Sequence, residues 1–158
     1  MSRIVVETSI AAPIERVFDV ARDIDVHVAS QEGHREAAIA GRTTGPIGLG
    51  ETVTFRARHL GVTMTLTSLV TSFEPPTRFV DEQVRGPFAA FRHEHLFRAT
   101  ATGTVMTDDW IHRSPLGLVG RIVDAVVLGR YLRRQLIARA TVIASIAEGG
   151  GGGPSLGA

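Results

Sequence analysis

The chain contains no cysteine. That excludes a disulfide framework, a thiolate metal site and a thiol nucleophile, and it fits a reducing compartment, so a cytoplasmic location is expected. Excess charge of either sign is missing too: 17 Lys+Arg against 16 Asp+Glu leave a formal net charge of +1. A phosphate backbone requires a concentrated basic footprint, so nucleic acid is not an expected partner. No long uncharged apolar run occurs. The most apolar region, Leu116 to Ala147, carries Arg121, Asp124, Arg130, Arg133, Arg134 and Arg139, which is too many charges for a bilayer span. It reads as a soluble helix. The opening MSRIVVETSIAAP has one basic residue, and Glu7 and Thr8 interrupt its apolar residues, so a strand is expected there and not a signal peptide.

What is present suffices for one core. At 158 residues and 44% hydrophobic content, the chain can bury most of its unfolded surface without covalent staples. Arg3 to Ile10 alternates as a half-buried strand, with Ile4 and Val6 on one side. The period then changes in AAPIERVFDVARD: Pro13 suits a first helical position, Glu15 favours the helix N-terminus, and Val17, Phe18 and Ala21 share a face. DIDVHVASQ suggests a second short helix. From His34 onward, turn signals at TTGPIGLGE, HLGV, EPPTR, RGPF and TATGT separate runs rich in Val, Thr and Phe. These predict an antiparallel meander of strands at Arg35–Arg42, Glu51–Leu60, Val62–Phe73, Arg78–Val84, Ala89–Ala101 and Thr104–His112. The stretch RIVDAVVLGRYLRRQLIARATVIASIAE has apolar residues at helical spacing, including Val119 just before it and Ile122, Val123, Val126, Val127, Leu132, Leu136, Ile137, Ala140 and Ile143 within it. It predicts one long helix. Residues 1–148 are expected to form a single domain and the glycine-rich residues 149–158 a flexible tail. The glycines of GPIGLG are no nucleotide loop, since no Gly-Lys-Ser/Thr follows and a strand comes next.

Splitting each strand into two faces places the chemistry. Val53, Phe55, Ala57 and His59 share a side, as do Val62, Met64 and Leu66, while arginines and threonines take the other. In FRHEHLF, Phe91, His93, His95 and Phe97 lie opposite Arg92, Glu94, Leu96 and Arg98, so the histidines point inward. A sheet with one bare apolar face needs a cover, and the late helix can supply it, with space left between. Taking Thr102-Gly103 as a two-residue hairpin loop sets His95 opposite Trp110 and His93 opposite His112. Closing RGPF symmetrically sets Phe79 opposite His95, Asp81 opposite His93 and Gln83 opposite Phe91. A polar patch of Asp81, Gln83, His93, His95 and His112 is then expected inside an apolar wall.

The motifs IAAPIERVFD, GLGETVTFRARHLG, FVDEQVRGPFAAFRHEHLF and GTVMTDDWIHRSPLG, followed by the terminal helix, resemble the SRPBCC superfamily. This is the START-like, polyketide cyclase-like group that includes pollen allergens; the similarity is to its uncharacterised cyclase/dehydrase-like bacterial branch and covers Arg3 to Glu148. The resemblance implies an α+β helix-grip fold: an antiparallel sheet of about seven strands around a long C-terminal helix, two short helices after the first strand, and a cavity for hydrophobic molecules. It fixes no single activity, and no universal catalytic motif comes with it.

Three readings of the histidine pair stay open. His93 and His95 are pocket-wall residues, hydrogen-bonded and shaping specificity; or bases oriented by Asp81, moving a proton at a ligand carbonyl or enol; or, with His112 or Asp81, ligands of zinc or iron. The strand spacing is not a dedicated metal motif, so no metal or other cofactor is expected. Candidate ligand contacts are Phe55, His59, Met64, Phe79, Gln83, Phe91, Phe97, Asp108, Trp110, His112 and Tyr131; Asp109 is expected to meet solvent. The expected partner is a hydrophobic small molecule, aromatic, polyketide-like or lipid-like. A cyclase/dehydratase-type enzyme and a protein-interaction module with a vestigial cavity are the alternatives, and oligomeric state is not legible.

Overall fold

A computed structural model describes residues 1–115, 117–123 and 127–149. In chain order the elements are β1 (Ser2–Ile10), α1 (Ile14–Ala21), α2 (Ile24–Ser30), a single tight helical turn at Glu32–His34, β2 (Ala37–Gly41), β3 (Thr52–His59), β4 (Val62–Glu74), β5 (Arg78–Arg85), β6 (Ala90–Thr100), β7 (Gly103–Arg113), α3 (Gly117–Val123) and α4 (Gly129–Ala147). Among the described residues the strands form one antiparallel sheet in the order β1-β7-β6-β5-β4-β3-β2. The meander is completed by β1 on the far side of β7. This is the helix-grip arrangement the sequence predicts.

The local reasons are chemical. Pro13 caps α1 from just outside it, one position earlier than the sequence reading placed it, and Glu15 sits in the first turn. The Asp23 carboxylate accepts from the backbone N–H of Asp25 at 2.8 Å and of Val26 at 3.2 Å, which starts α2. Along β6 the pattern is strict: Phe91, His93, His95 and Phe97 are buried and Leu96 and Arg98 are exposed. β3 buries Val53, Phe55 and Ala57 as expected, and β4 continues the inward face through Ser68 and Val70. A bulge between Val70 and Ser72 then turns Phe73 inward beside Phe79.

Phe18 plugs one end of the space between sheet and helix. Its ring lies 5.5, 5.6 and 5.4 Å from those of Phe73, Phe79 and Phe97, tilted or edge-on, and Met106 and Ile143 close the cluster. Ile4 and Val6 of β1 meet Leu132 and Leu136 of α4, while Ile24 of α2 clusters with Ile47, Val53, Phe55 and Val70. α4 thus rests mainly on β1, α1 and α2.

Four expectations need correction. The β6–β7 turn is Ala101-Thr102, with Thr100 paired to Gly103, so His95 faces Asp108, His93 faces Trp110 and Phe91 faces His112. Gly103 is the first residue of β7 because a Cβ there would lie 2.1 Å from the Ile10 carbonyl oxygen; its glycine serves a close approach and not the turn. The slip is two residues, so the inward face is kept. Second, Val119 and Ile122 of α3 and Val127 are exposed at 69%, 68% and 51%, not on a buried stripe. Val123 and Val126 belong to the same expectation; Val126 lies outside the described residues and the Val123 side chain is not described. The single predicted helix is represented by α3 and α4, with residues 124–126 outside the description, as are residues 150–158 of the expected tail. Third, Val62, at the tip of the β3–β4 hairpin, is exposed. Fourth, Asp109 is buried, bound by Arg3 through Nε at 2.9 Å and Nη2 at 2.7 Å. No helix among the described residues is long and apolar enough to cross a membrane.

Candidate functional site

A cavity of about 350 Å³ opens between the sheet and α4. Its walls are mostly apolar: Phe55 and Ala57 of β3, Met64 and Val70 of β4, Phe79 of β5, Phe91 of β6, Trp110 of β7 and Leu132 and Leu136 of α4. Phe91 and Trp110 stack at 4.2 Å, and Phe79 stacks on the His95 imidazole at 4.0 Å. These rings give the hollow flat walls.

One set of its polar groups converges on β5, β6 and β7. Cross-strand register puts Asp81 beside His93 and Phe79 beside His95, as the sequence predicts, and Asp108 beside His95. Asp108 Oδ1 accepts from His93 Nε2 at 2.9 Å and from His95 Nδ1 at 3.0 Å. His95 Nε2 lies 2.9 Å from Asp81 Oδ1, and the Ser68 hydroxyl donates to Asp81 Oδ2 at 2.7 Å. Arg139 of α4 reaches the same cluster, Nη1 to Asp108 Oδ1 at 3.2 Å, and donates from Nη2 to the Ala21 carbonyl at 2.6 Å. His93, His95, Asp108 and Arg139 are all buried; the Asp81 side chain is 21% exposed.

Charge in this cluster is settled by contacts. Burial would raise the Asp108 carboxyl, but the hydrogen bonds from His93 and His95 and the charge of Arg139 hold it well below the usual carboxylate range. Asp81 is opposed by burial in the same way, and its bond from His95, the pull of the imidazoles and the Ser68 hydroxyl bring it down to about 2. His93 is pushed down to about 4, by burial first and by its neighbour His95 second, against the pull of the carboxylates. A neutral imidazole has one N–H, and that of His93 is spent on Asp108. Its Nδ1, 4.0 Å from Asp81 Oδ1, keeps a lone pair. His95 faces a carboxylate oxygen from each nitrogen, Asp108 Oδ1 from Nδ1 and Asp81 Oδ1 from Nε2.

A second polar group lines the cavity near the β3–β4 hairpin. The Tyr131 hydroxyl is 2.8 Å from His59 Nδ1 and 3.3 Å from His34 Nδ1. Burial pushes the His59 imidazole down and the Tyr131 phenol up.

Of the sequence-based candidates, Phe55, His59, Met64, Phe79, Asp81, Phe91, His93, His95, Trp110 and Tyr131 line the cavity. Four others take different places. Gln83 turns to the β5–β6 loop, where Nε2 donates to the Phe88 carbonyl at 2.7 Å and Oε1 accepts from its N–H at 3.3 Å. Phe97 belongs to the Phe18 core. Asp108 stands behind the histidines, fully buried. His112 accepts the Trp110 indole N–H at 3.1 Å and so holds that ring. Arg139 was not read as a site residue. Its signal is its position: three after Leu136 and four before Ile143, it falls on the buried stripe of α4.

No family model matches the chain, and no curated protein does. Solved structures do. A Thermus thermophilus protein superposes with a TM-score of 0.72 at 14% identity, covering 92% of this chain and 99% of that one. The Zhui aromatase/cyclase from Streptomyces sp. R1128 gives 0.65 at 17% identity and 93% of both chains. A major latex-like protein of Panax ginseng gives 0.69 at 10% identity, with 92% of this chain and 97% of its own. The chain shares the helix-grip fold of these structures.

Proposed function

We propose that the protein binds a hydrophobic small molecule, aromatic or polyketide-like, between the sheet and α4. One observation carries this: a 350 Å³ hollow walled largely by apolar and aromatic side chains, with Asp81, His93 and His95 gathered on one wall. Such a site takes its affinity from buried apolar area, roughly 25 cal/mol per Å² before ordering costs, and its orientation from a few polar atoms. His59 and Tyr131 are polar contacts at the hairpin side, and Asp81, His93 and His95 anchor the other. The absence of cysteine accords with this binding taking place in the cytoplasm. Native mass spectrometry of the protein purified from its own host tests the reading. A retained organic mass, or a melting temperature that rises with added hydrophobic ligands, supports it; an empty protein that no such ligand stabilises overturns it.

One observation favours a second reading, an acid/base enzyme of the cyclase/dehydratase kind. His93 is neutral, is held by Asp108, and offers an unprotonated Nδ1 on the cavity side of the strand, the arrangement a general base needs. In that case His93→Ala abolishes turnover while ligand uptake falls only modestly; equal losses in both count against catalysis. An interaction module with a vestigial cavity needs the aromatics to fill the hollow, and Phe79, Phe91 and Trp110 line it instead.

A further inference from the structure

We propose that Asp81, His93 and His95 form a mononuclear binding site for a divalent transition-metal ion of the zinc or iron(II) class. Histidines two apart on a strand are not a metal motif, and what makes the site is assembled across β5, β6 and β7. Asp81, His93 and His95 each offer one ligand atom, and these atoms all lie within 4.8 Å of one another. Asp81 Oδ1 is 2.9 Å from His95 Nε2 and 4.0 Å from His93 Nδ1. Ligands bound at about 2.0–2.2 Å to a common ion stand about 3–3.5 Å apart, so closures of up to roughly an ångström complete the site.

The outer contacts are those of a metal centre. Each imidazole gives its other nitrogen to Asp108 Oδ1, at 2.9 and 3.0 Å, which turns the lone pairs of His93 Nδ1 and His95 Nε2 toward Asp81. Ser68 holds the second oxygen of Asp81. Every proposed ligand thus has an orienting partner, and Arg139 ties Asp108 to α4. Two imidazoles and one carboxylate suit zinc or iron(II) and not calcium or magnesium, which take all-oxygen shells.

Three protein ligands leave coordination positions facing the cavity, beside Phe79 on His95 and Trp110 at 5.2 Å from His93. An ion there presents a Lewis acid to an oxygen of whatever occupies the hollow. Binding of the ion does not depend on the hydrophobic-ligand reading. It does exclude His93 Nδ1 from acting as a free base.

The test titrates Co²⁺ into the full-length chain after chelator dialysis. The expected result is one equivalent bound per chain, with the visible absorption of a four- or five-coordinate nitrogen/oxygen site, displaced by Zn²⁺. Asp81→Asn and His95→Ala lose at least about tenfold in affinity, and Asp108→Asn about 10–100-fold, whereas Glu7→Gln, on the exposed face of β1, binds as wild type does. The proposal is overturned if the wild-type chain takes up no stoichiometric Co²⁺, or if Asp81→Asn and His95→Ala bind it equally well. Should either variant fail to fold by circular dichroism, the wild type decides alone: Co²⁺ must shift the imidazole NMR signals of His93 and His95, and unshifted signals overturn the site.

Discussion

Arg139 on α4 and Asp108 on β7 are joined, Nη1 to Oδ1, at 3.2 Å, with side chains 6% and 0% exposed. Through this guanidinium α4 reaches the polar cluster and sets the charge there. Burying two ions is costly, and removing one partner strands the other. Arg139→Met is therefore expected to destabilise the fold by about 3–5 kcal/mol in urea unfolding. Arg139→Lys keeps the charge but not the second bond to the Ala21 carbonyl, and it should fall between the two. A Met variant as stable as wild type would mean that Asp108 is held without the helix.

Gly103 supplies the second prediction. A Cβ there meets the Ile10 carbonyl oxygen at 2.1 Å and the Ala11 Cα at 3.0 Å, both backbone atoms that cannot turn aside. Gly103→Ala should cost about 2–3 kcal/mol by thermal or urea unfolding. Gly33 is the control: a Cβ there meets nothing within 4 Å, and Gly33→Ala should stay within about 0.5 kcal/mol. Equal effects at both sites would refute the close approach.

That same glycine marks where the sequence stops being readable. Alternation along β1, β3 and β6 is a local property, and it correctly turned Ile4, Phe55, His93 and His95 inward. Strand pairing is not local. A Thr-Gly pair resembles a hairpin turn, yet Gly103 answers to Ile10, more than ninety positions earlier in the chain, and the register moves by two residues as a result. A shift of two keeps the face but exchanges neighbours, which is why Asp108 and not His112 holds the imidazoles. Arg139 escaped for a related reason: an arginine on a helix reads as solvated until its place on the buried stripe is set against a carboxylate from another strand. α3 misled in the opposite sense, because helical spacing of apolar residues says nothing of whether a partner surface exists, and Val119 and Ile122 have water on that side.

The bond between Arg3 and Asp109 gives a pH dependence. The hydrogen bond from the Arg3 guanidinium, and behind it that group's charge, holds the Asp109 carboxyl below its ordinary value against the effect of burial. A carboxyl lowered in the folded state contributes stability above its unfolded value of about 3.9, and loses it as the pH falls through the folded value. Arg3 is 64% exposed, so solvent and salt screen the pair and keep its contribution small. Asp109→Asn should therefore be slightly less stable than wild type at pH 7, and the two unfolding curves should converge in acid. A gap that persists or widens below the unfolded value would contradict the ion-pair account.

The cavity and the Phe18 core should respond in opposite ways to a change of volume. Phe18 is 2% exposed and touches three other phenylalanine rings, so Phe18→Ala opens a void that close-packed neighbours cannot refill and should cost about 3–5 kcal/mol. Ala57, 5% exposed on β3, borders a hollow that is already there. Ala57→Phe adds a ring where no protein atoms need displacing, and overpacking strain is avoided in proportion to the space that ring finds. Its melting temperature should match or exceed wild type, while uptake of a fluorescent hydrophobic probe, followed by the rise in emission on titration, falls at least about tenfold, which corresponds to about 1.4 kcal/mol of binding. If Ala57→Phe instead unfolds the protein, the hollow is narrower at β3 than its walls indicate. If it leaves probe uptake unchanged, the probe binds elsewhere and the space between sheet and α4 is not the binding site.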